Sequence, residues 1–153
     1  MIAYRYLTSI HEFLKDGCFG KTGLKDINAL AKALTSRAPH VDIHRIEEAA
    51  EGSYLLFALE DERIVGMGAL VPIVTLIGHT GRIEDVVVLK KYRGDYHGER
   101  IDETIMMMLH DKARVLGLTR IRLTSNPSRK AANAFFKRLG YREIDTNVFE
   151  FDL

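Results

Sequence analysis

The sequence has no tryptophan, a single cysteine (Cys18) and three prolines. One cysteine excludes an internal disulfide and any zinc site built on several thiolates, and it fits a reducing compartment. So few prolines, with no low-complexity run and no internal repeat, argue against extended linkers. An excess of either charge is missing too, because 22 Lys and Arg stand against 21 Asp and Glu, a net of +1. Such a balance gives no bulk positive field for nucleic acid or an anionic membrane, and neither is expected as a partner. The first twenty residues lack the uninterrupted apolar stretch of a signal peptide or membrane helix, so a cytoplasmic location is expected. What is present is ordinary globular usage. The chain has 153 residues, 46% hydrophobic and 28% charged, which suits one domain over 1–153.

Patterning divides the chain into short elements. Tyr4–Leu7 reads as an opening strand, and Ser9-Ile-His-Glu12 has capping-box form at a helix start. Leu24, Ile27, Leu30, Ala31 and Leu34 share one face of a predicted helix over Leu24–Thr35, and a second helix is expected over Val41–Ala50. Tyr54–Glu60 and Arg63–Pro72 are strand-like, and Asp61-Glu62 between them suits a hairpin. Gly78–Arg82 reads as punctuation before a strand over Ile83–Leu89, whose Val86-Val87-Val88 triplet predicts burial on both faces. A glycine-bearing loop, a helix over about Gly98–Leu116 and a strand at Arg120–Thr124 follow. Asn126-Pro127-Ser128 opens a helix that Gly140 closes, and Tyr141–Ile144 and Val148–Phe151 read as closing strands. The order predicts an α/β (α+β) domain with a mixed sheet.

The chemistry concentrates where the valine strand enters the loop with Gly94 and Gly98 ahead of a helix. A strand–glycine loop–helix junction presents several free amides at the positive end of a helix dipole, which suits a phosphate or diphosphate. Arg93 stands where it would pair with a phosphate oxygen. An ordinary strand–helix connection is the competing reading.

Lys91-Tyr-Arg-Gly94-Asp-Tyr-His-Gly98 after Val86–Val88 resembles the acyl-CoA loop of the GNAT superfamily of N-acetyltransferases. A second block, Leu123-Thr-Ser-Asn-Pro-Ser-Arg129 through Phe136 to Gly140-Tyr141, is similar to that family's later strand–helix segment. The resemblance implies a mostly antiparallel central sheet flanked by helices, with a splayed parallel pair of strands whose gap takes the pantetheine of acetyl-CoA. By position those strands are Ile83–Val88 and Arg120–Thr124. It implies cofactor contacts from Val86, Val87 and Val88, from the loop residues Arg93, Gly94, Asp95, Tyr96, His97 and Gly98, and from Asn126, Arg129 and Asn133. Helix capping competes with ligand contact at Asn126 and Ser128. Two positions depart from the family. Tyr96 replaces a small residue, and Phe136 stands where many relatives carry a tyrosine acid.

Acetyl transfer to an amine needs the neutral amine, and a carboxylate is the usual base. Glu84 and Asp85 are the candidates. Strand alternation puts Glu84 on the face of Val86 and Val88 and makes it the preferred one. The resemblance implies direct transfer to a small primary amine, and a homodimer is expected on the same ground. The stretch Gly78-His79 and Ile83-Glu84-Asp85 also resembles glucosamine-6-phosphate N-acetyltransferases, which leaves that substrate as an alternative. A non-catalytic acyl-CoA-binding module is a second alternative, and protein N-acetylation a third. Gly20-Lys21-Thr22 lacks the leading glycine of a nucleotide loop, and His40 with His44 lacks a third ligand, so no metal is expected.

Overall fold

The computed structural model describes residues 1–11 and 22–153, in two units spanning 1–123 and 124–153. In the first, five strands form one sheet in the order β1-β2-β3-β4-β5. They are β1 (Ile2–Tyr6), β2 (Tyr54–Glu60), β3 (Arg63–Thr75), β4 (Gly78–Val88) and β5 (Arg120–Arg122). The first four pair antiparallel, and β5 runs parallel to β4. Among the described residues they are accompanied by the helices α1 (Gly23–Leu34), α2 (Ile43–Gly52) and α3 (Ile101–Val115). The predicted mixed sheet with one parallel pair is therefore the architecture found.

The periodicities act as expected in most elements. Ile27 and Leu30 of α1 and Ile46 of α2 join Phe57, Leu59, Ile64 and Val87 in a core on one sheet face. Asp42 caps α2, its side chain accepting from the Arg45 amide at 2.8 Å. Asp61 and Glu62 both have positive φ, 46° and 66°, the two-residue turn whose twist matches antiparallel strands. On the opposite face, a Cβ added to Gly66 or Gly68 would meet Ile105 at 3.1 or 2.9 Å, so these glycines let α3 lie close to β3.

One buried charge ties α1 to the hairpin. Asp26, 1% exposed, accepts from Arg63 Nε and Nη2 (shortest 2.5 Å), from the Ile64 amide at 3.0 Å and from the Thr22 hydroxyl at 3.0 Å. Among the described residues, its donors flank the turn or the start of α1.

Two expected assignments of elements fail. Gly78–Arg82 is not punctuation. It pairs with Val71–Thr75, and the turn lies at the exposed Leu76-Ile77. Gly81 is small because Leu118 and Leu70 crowd it, at 2.8 and 3.1 Å from an added Cβ. The second unit holds a helix, α4 (Lys130–Arg138), followed by Gly140 at φ 90°. No strand occurs over Tyr141–Ile144 or Val148–Phe151. Strand-forming residues there find no partner strand, and Val148, Phe149 and Phe151 stay exposed. Ile10 and His11 are helical, while Glu12 of the capping box lies outside the described residues.

Candidate active site on β4 and the following loop

The parallel ladder between β4 and β5 has three pairs and stops at Arg82↔Arg122. From Ile83 to Val88, β4 pairs only with β3 among the described residues. Leu89 N donates to Val65 O at 2.9 Å. Its neighbours Val88 and Gly66 are therefore a non-hydrogen-bonded pair, and the Val88 amide and carbonyl aim away from β3, along the open edge. Arg93 Nε donates to that carbonyl at 2.7 Å, folding the side chain back on the strand end. Its terminal nitrogens have no partner among the described residues.

A bulge interrupts this stretch. Ala69 faces Glu84 and Met67 faces Val87, so Asp85 and Val86 together oppose Gly68. Asp85 takes φ 55°, a left-handed conformation for a residue with a Cβ. The extra residue reverses the alternation. Val86 and Val88 lie toward α3, near Gly68 and Gly66, while Val87 lies in the core on the α1 face. Glu84, opposite Ala69, shares the face of Met67 and Val87 rather than that of Val86 and Val88. Val87 and Val88 are buried on opposite faces as predicted, and Val86 is half-buried.

The two carboxylates have different surroundings. Glu84 Oε1 is 2.8 Å from Arg82 Nη2. Asp85 is exposed, and its carboxylate has no hydrogen-bond or ion-pair partner among the described residues.

The loop begins with a single 3-10 turn, Lys90–Tyr92. Gly94 has φ 79°. Tyr96 and Glu99 then exchange backbone hydrogen bonds of 2.8 and 3.2 Å around His97 and Gly98, both at positive φ. Asp95 Oδ1 accepts from the Gly98 amide at 2.8 Å, and the Arg93 amide donates to Lys90 O at 3.3 Å. The amides of Gly94, Asp95 and His97 donate to no protein acceptor among the described residues. The Tyr96 ring turns to the sheet, where its hydroxyl donates to Glu60 Oε1 at 2.7 Å and Tyr92 donates to Oε2 at 2.8 Å. The Tyr96 and then the Tyr92 hydroxyl hold the Glu60 carboxyl below its ordinary range. Burial, with the bond to Glu60, pushes Tyr92 up to about 12. Nothing in the sequence pattern marks Glu60, which lies 36 residues from Tyr96.

In the second unit, Asn126 Oδ1 accepts from the Ser128 amide at 2.9 Å and the Ser128 hydroxyl at 2.7 Å. Asn133 Nδ2 donates to Asn126 O at 3.1 Å. Asn126 and Ser128 thus shape the entry to α4, the capping role weighed against ligand contact, and Asn133 ties back to the same turn. Arg129 contributes its backbone to the same turn, donating to Asn126 O at 3.0 Å. Phe136 packs against Phe135 and Tyr141, with ring centroids 5.5 and 6.0 Å apart. Burial pushes the Tyr141 hydroxyl up to about 12. Among the described residues, no cluster of His, Cys, Asp or Glu could hold a metal, and His44 instead faces Glu48 at 3.7 Å. Cys18, Gly20 and Lys21 lie outside the described residues.

The profile of the acetyltransferase (GNAT) family matches residues 24–141. The chain belongs to that family. Solved structures share its fold. A Trypanosoma brucei acetyltransferase is 23% identical, with a TM-score of 0.74 and coverage of 100% of both chains. Glucosamine-6-phosphate N-acetyltransferase from Arabidopsis thaliana is 18% identical, with a TM-score of 0.72 over 99% of this chain and 98% of that one. An aminoglycoside acetyltransferase from an uncultured soil metagenomic sample is 14% identical, with a TM-score of 0.76 over 99% and 96%. No curated protein sequence matches. Among the described residues, no helix is long and apolar enough to cross a membrane.

Proposed function

We propose that this GNAT-family chain transfers an acetyl group from acetyl-CoA directly to a small primary amine. The observation that carries this is the loop after β4, where, among the described residues, the amides of Gly94, Asp95 and His97 have no acceptor and the adjoining strand edge has no partner. These residues fit a diphosphate. No heavy atom lies within 4 Å of an added Cβ at Gly94 or Gly98, which leaves room for an anion to reach the backbone. Tyr96 offers no obstacle, because its side chain is drawn to Glu60. The residues that would hold acetyl-CoA are the loop Arg93–Gly98, by its amides and the Arg93 terminal nitrogens, and Val86 and Val88 along the open edge. Val87, in the core, supports the strand rather than touching the ligand. When bound, acetyl-CoA supplies the activated thioester.

The chain's own task is to provide a neutral amine and hold it in place. Glu84 is the base in this reading. Arg82 fixes its Oε1 and leaves Oε2 to take the proton, on the sheet face that α1 and α2 cover. Asp85, at the bulge, is the second candidate. A side chain in general-base catalysis is worth about 10²–10⁴ in rate. Glu84→Gln is expected to lower kcat about 100-fold with the Kd for coenzyme A unchanged, and Asp85→Asn by less than tenfold. The reverse order would make Asp85 the base. Thiol release from acetyl-CoA, followed across a panel of primary amines, tests the activity itself. Glucosamine 6-phosphate belongs in that panel as the second reading, because Gly78-His79 and Ile83-Glu84-Asp85 lie on one strand, β4. Saturable coenzyme binding without turnover on any amine would favour a binding module.

A further inference from the structure

We infer that Glu60 is a positioning residue for the coenzyme's diphosphate, acting through the hydroxyls of Tyr92 and Tyr96. The inference rests on the reading of the Arg93–Gly98 loop just given. From within, that loop is held by the Tyr96–Glu99 backbone pair and by Asp95 on the Gly98 amide. Gly94, His97 and Gly98 all take positive φ, and an added Cβ at either glycine would meet no heavy atom within 4 Å. Further restraint comes from the sheet. Glu60 is the last residue of β2, immediately before the tight Asp61-Glu62 turn. Arg63 on the far side of that turn is clamped by Asp26. The carboxylate therefore stands on a fixed hairpin and receives both tyrosine hydroxyls, one on each oxygen.

A second bond holds the other end of the turn, where the Tyr4 hydroxyl donates to Glu99 Oε1. Ile2 pairs with Glu60, so Tyr4, two residues on, shares Glu60's sheet face. Adjacent strands thus anchor Tyr96 and Glu99, the two residues that close the turn, through bonds of opposite polarity. The free amides of Asp95 and His97 flank Tyr96, so fixing residue 96 fixes where they aim. Binding to a loose loop loses affinity to the cost of ordering it, and a tether removes that cost in advance. A bulky side chain at position 96 then has a use that a glycine or alanine would lack.

Calorimetry with coenzyme A, and chemical-shift titration with pantetheine, test this on the full chain and on Glu60→Ala, Glu60→Gln and Tyr96→Phe. Glu60→Ala is expected to raise the Kd for coenzyme A about tenfold and Tyr96→Phe about threefold, with the Kd for pantetheine unchanged in both. Glu60→Gln keeps one acceptor oxygen and is expected to recover part of the loss. The sign is informative, because removing a carboxylate near a polyanion would by charge alone tighten binding. Coenzyme A binding at wild-type strength in Glu60→Ala and Tyr96→Phe overturns the proposal. Equal losses for coenzyme A and pantetheine also overturn it, since they report a general structural defect. Should Glu60→Ala fail to fold, Tyr96→Phe, which loses one hydroxyl, decides alone. A wild-type chain that takes up no coenzyme A overturns the loop reading beneath, and that result is distinct from the others.

Discussion

Asp26 and Glu60 stand on either side of the β2–β3 hairpin, and each gathers several donors, yet their surroundings differ. Asp26 is buried, and its donors are a guanidinium, a backbone amide and a hydroxyl from the hairpin and the start of α1. Glu60 lies at the sheet end, and its donors belong to a glycine-bearing loop. The first arrangement fixes α1 against β3. The second fixes a loop that has no core of its own. Similar chemistry therefore bears on stability in one place and on ligand affinity in the other, and substitutions should separate the two.

The largest effect is expected at Asp26. Alanine there leaves the Ile64 amide unsatisfied and Arg63 without its partner, a cost of about 3 kcal/mol. Arg63 is more than half exposed and can recover water, which keeps the figure from rising further. For a chain of this size the thermal midpoint should fall by roughly 6–12 °C. Below the transition, the Kd for coenzyme A should rise less than in Glu60→Ala, because the strand ladder of the hairpin still holds Glu60. A midpoint shift under about 2 °C would break the contrast.

Gly94→Asp should do the reverse. Its φ of 79° disfavours any side chain, and the new carboxylate would face an anion. Strain and repulsion together predict a Kd for coenzyme A raised roughly thirtyfold, about 2 kcal/mol. No heavy atom lies near the added Cβ, so the midpoint should move less than in Asp26→Ala. Unchanged affinity would refute the loop as the diphosphate site.

The sequence showed one of these regions far better than the other. Period-3.6 spacing of Ile27 and Leu30 located α1, and two strand-like runs around Asp61-Glu62 located the hairpin, because local pattern decides both. Gly94 and Gly98 marked the loop for the same reason. The open edge of β4 depends on where β5 stops pairing, at Arg122, and composition does not encode that. The bulge is equally silent. Strict alternation from Glu84 to Val88 put Glu84 with Val86 and Val88, and one extra residue, Asp85, moved it to the other face. Glu60 meets Tyr92 and Tyr96 only after β1 to β4 have assembled. Position 96 departs from the motif in sequence, and the bond from its hydroxyl to Glu60 gives the departure a physical reason.

The smallest expected effect concerns protonation of Glu60. Donation from Tyr96, then Tyr92, favours the ionised carboxylate and lowers its pKa from an ordinary 4.5. The contribution of this contact is thus present above 4.5 and is lost only as pH falls through the lowered folded value. Ring resonances of Tyr96 should accordingly show a step centred below pH 4.5, as the acceptor takes a proton and the loop loosens. Glu60→Gln, which has no proton to gain in this range, should show no such step. A step in wild type centred at or above 4.5 would mean that the hydroxyls do not favour the ionised form, and the parallel with Asp26 as a shared acceptor would end there.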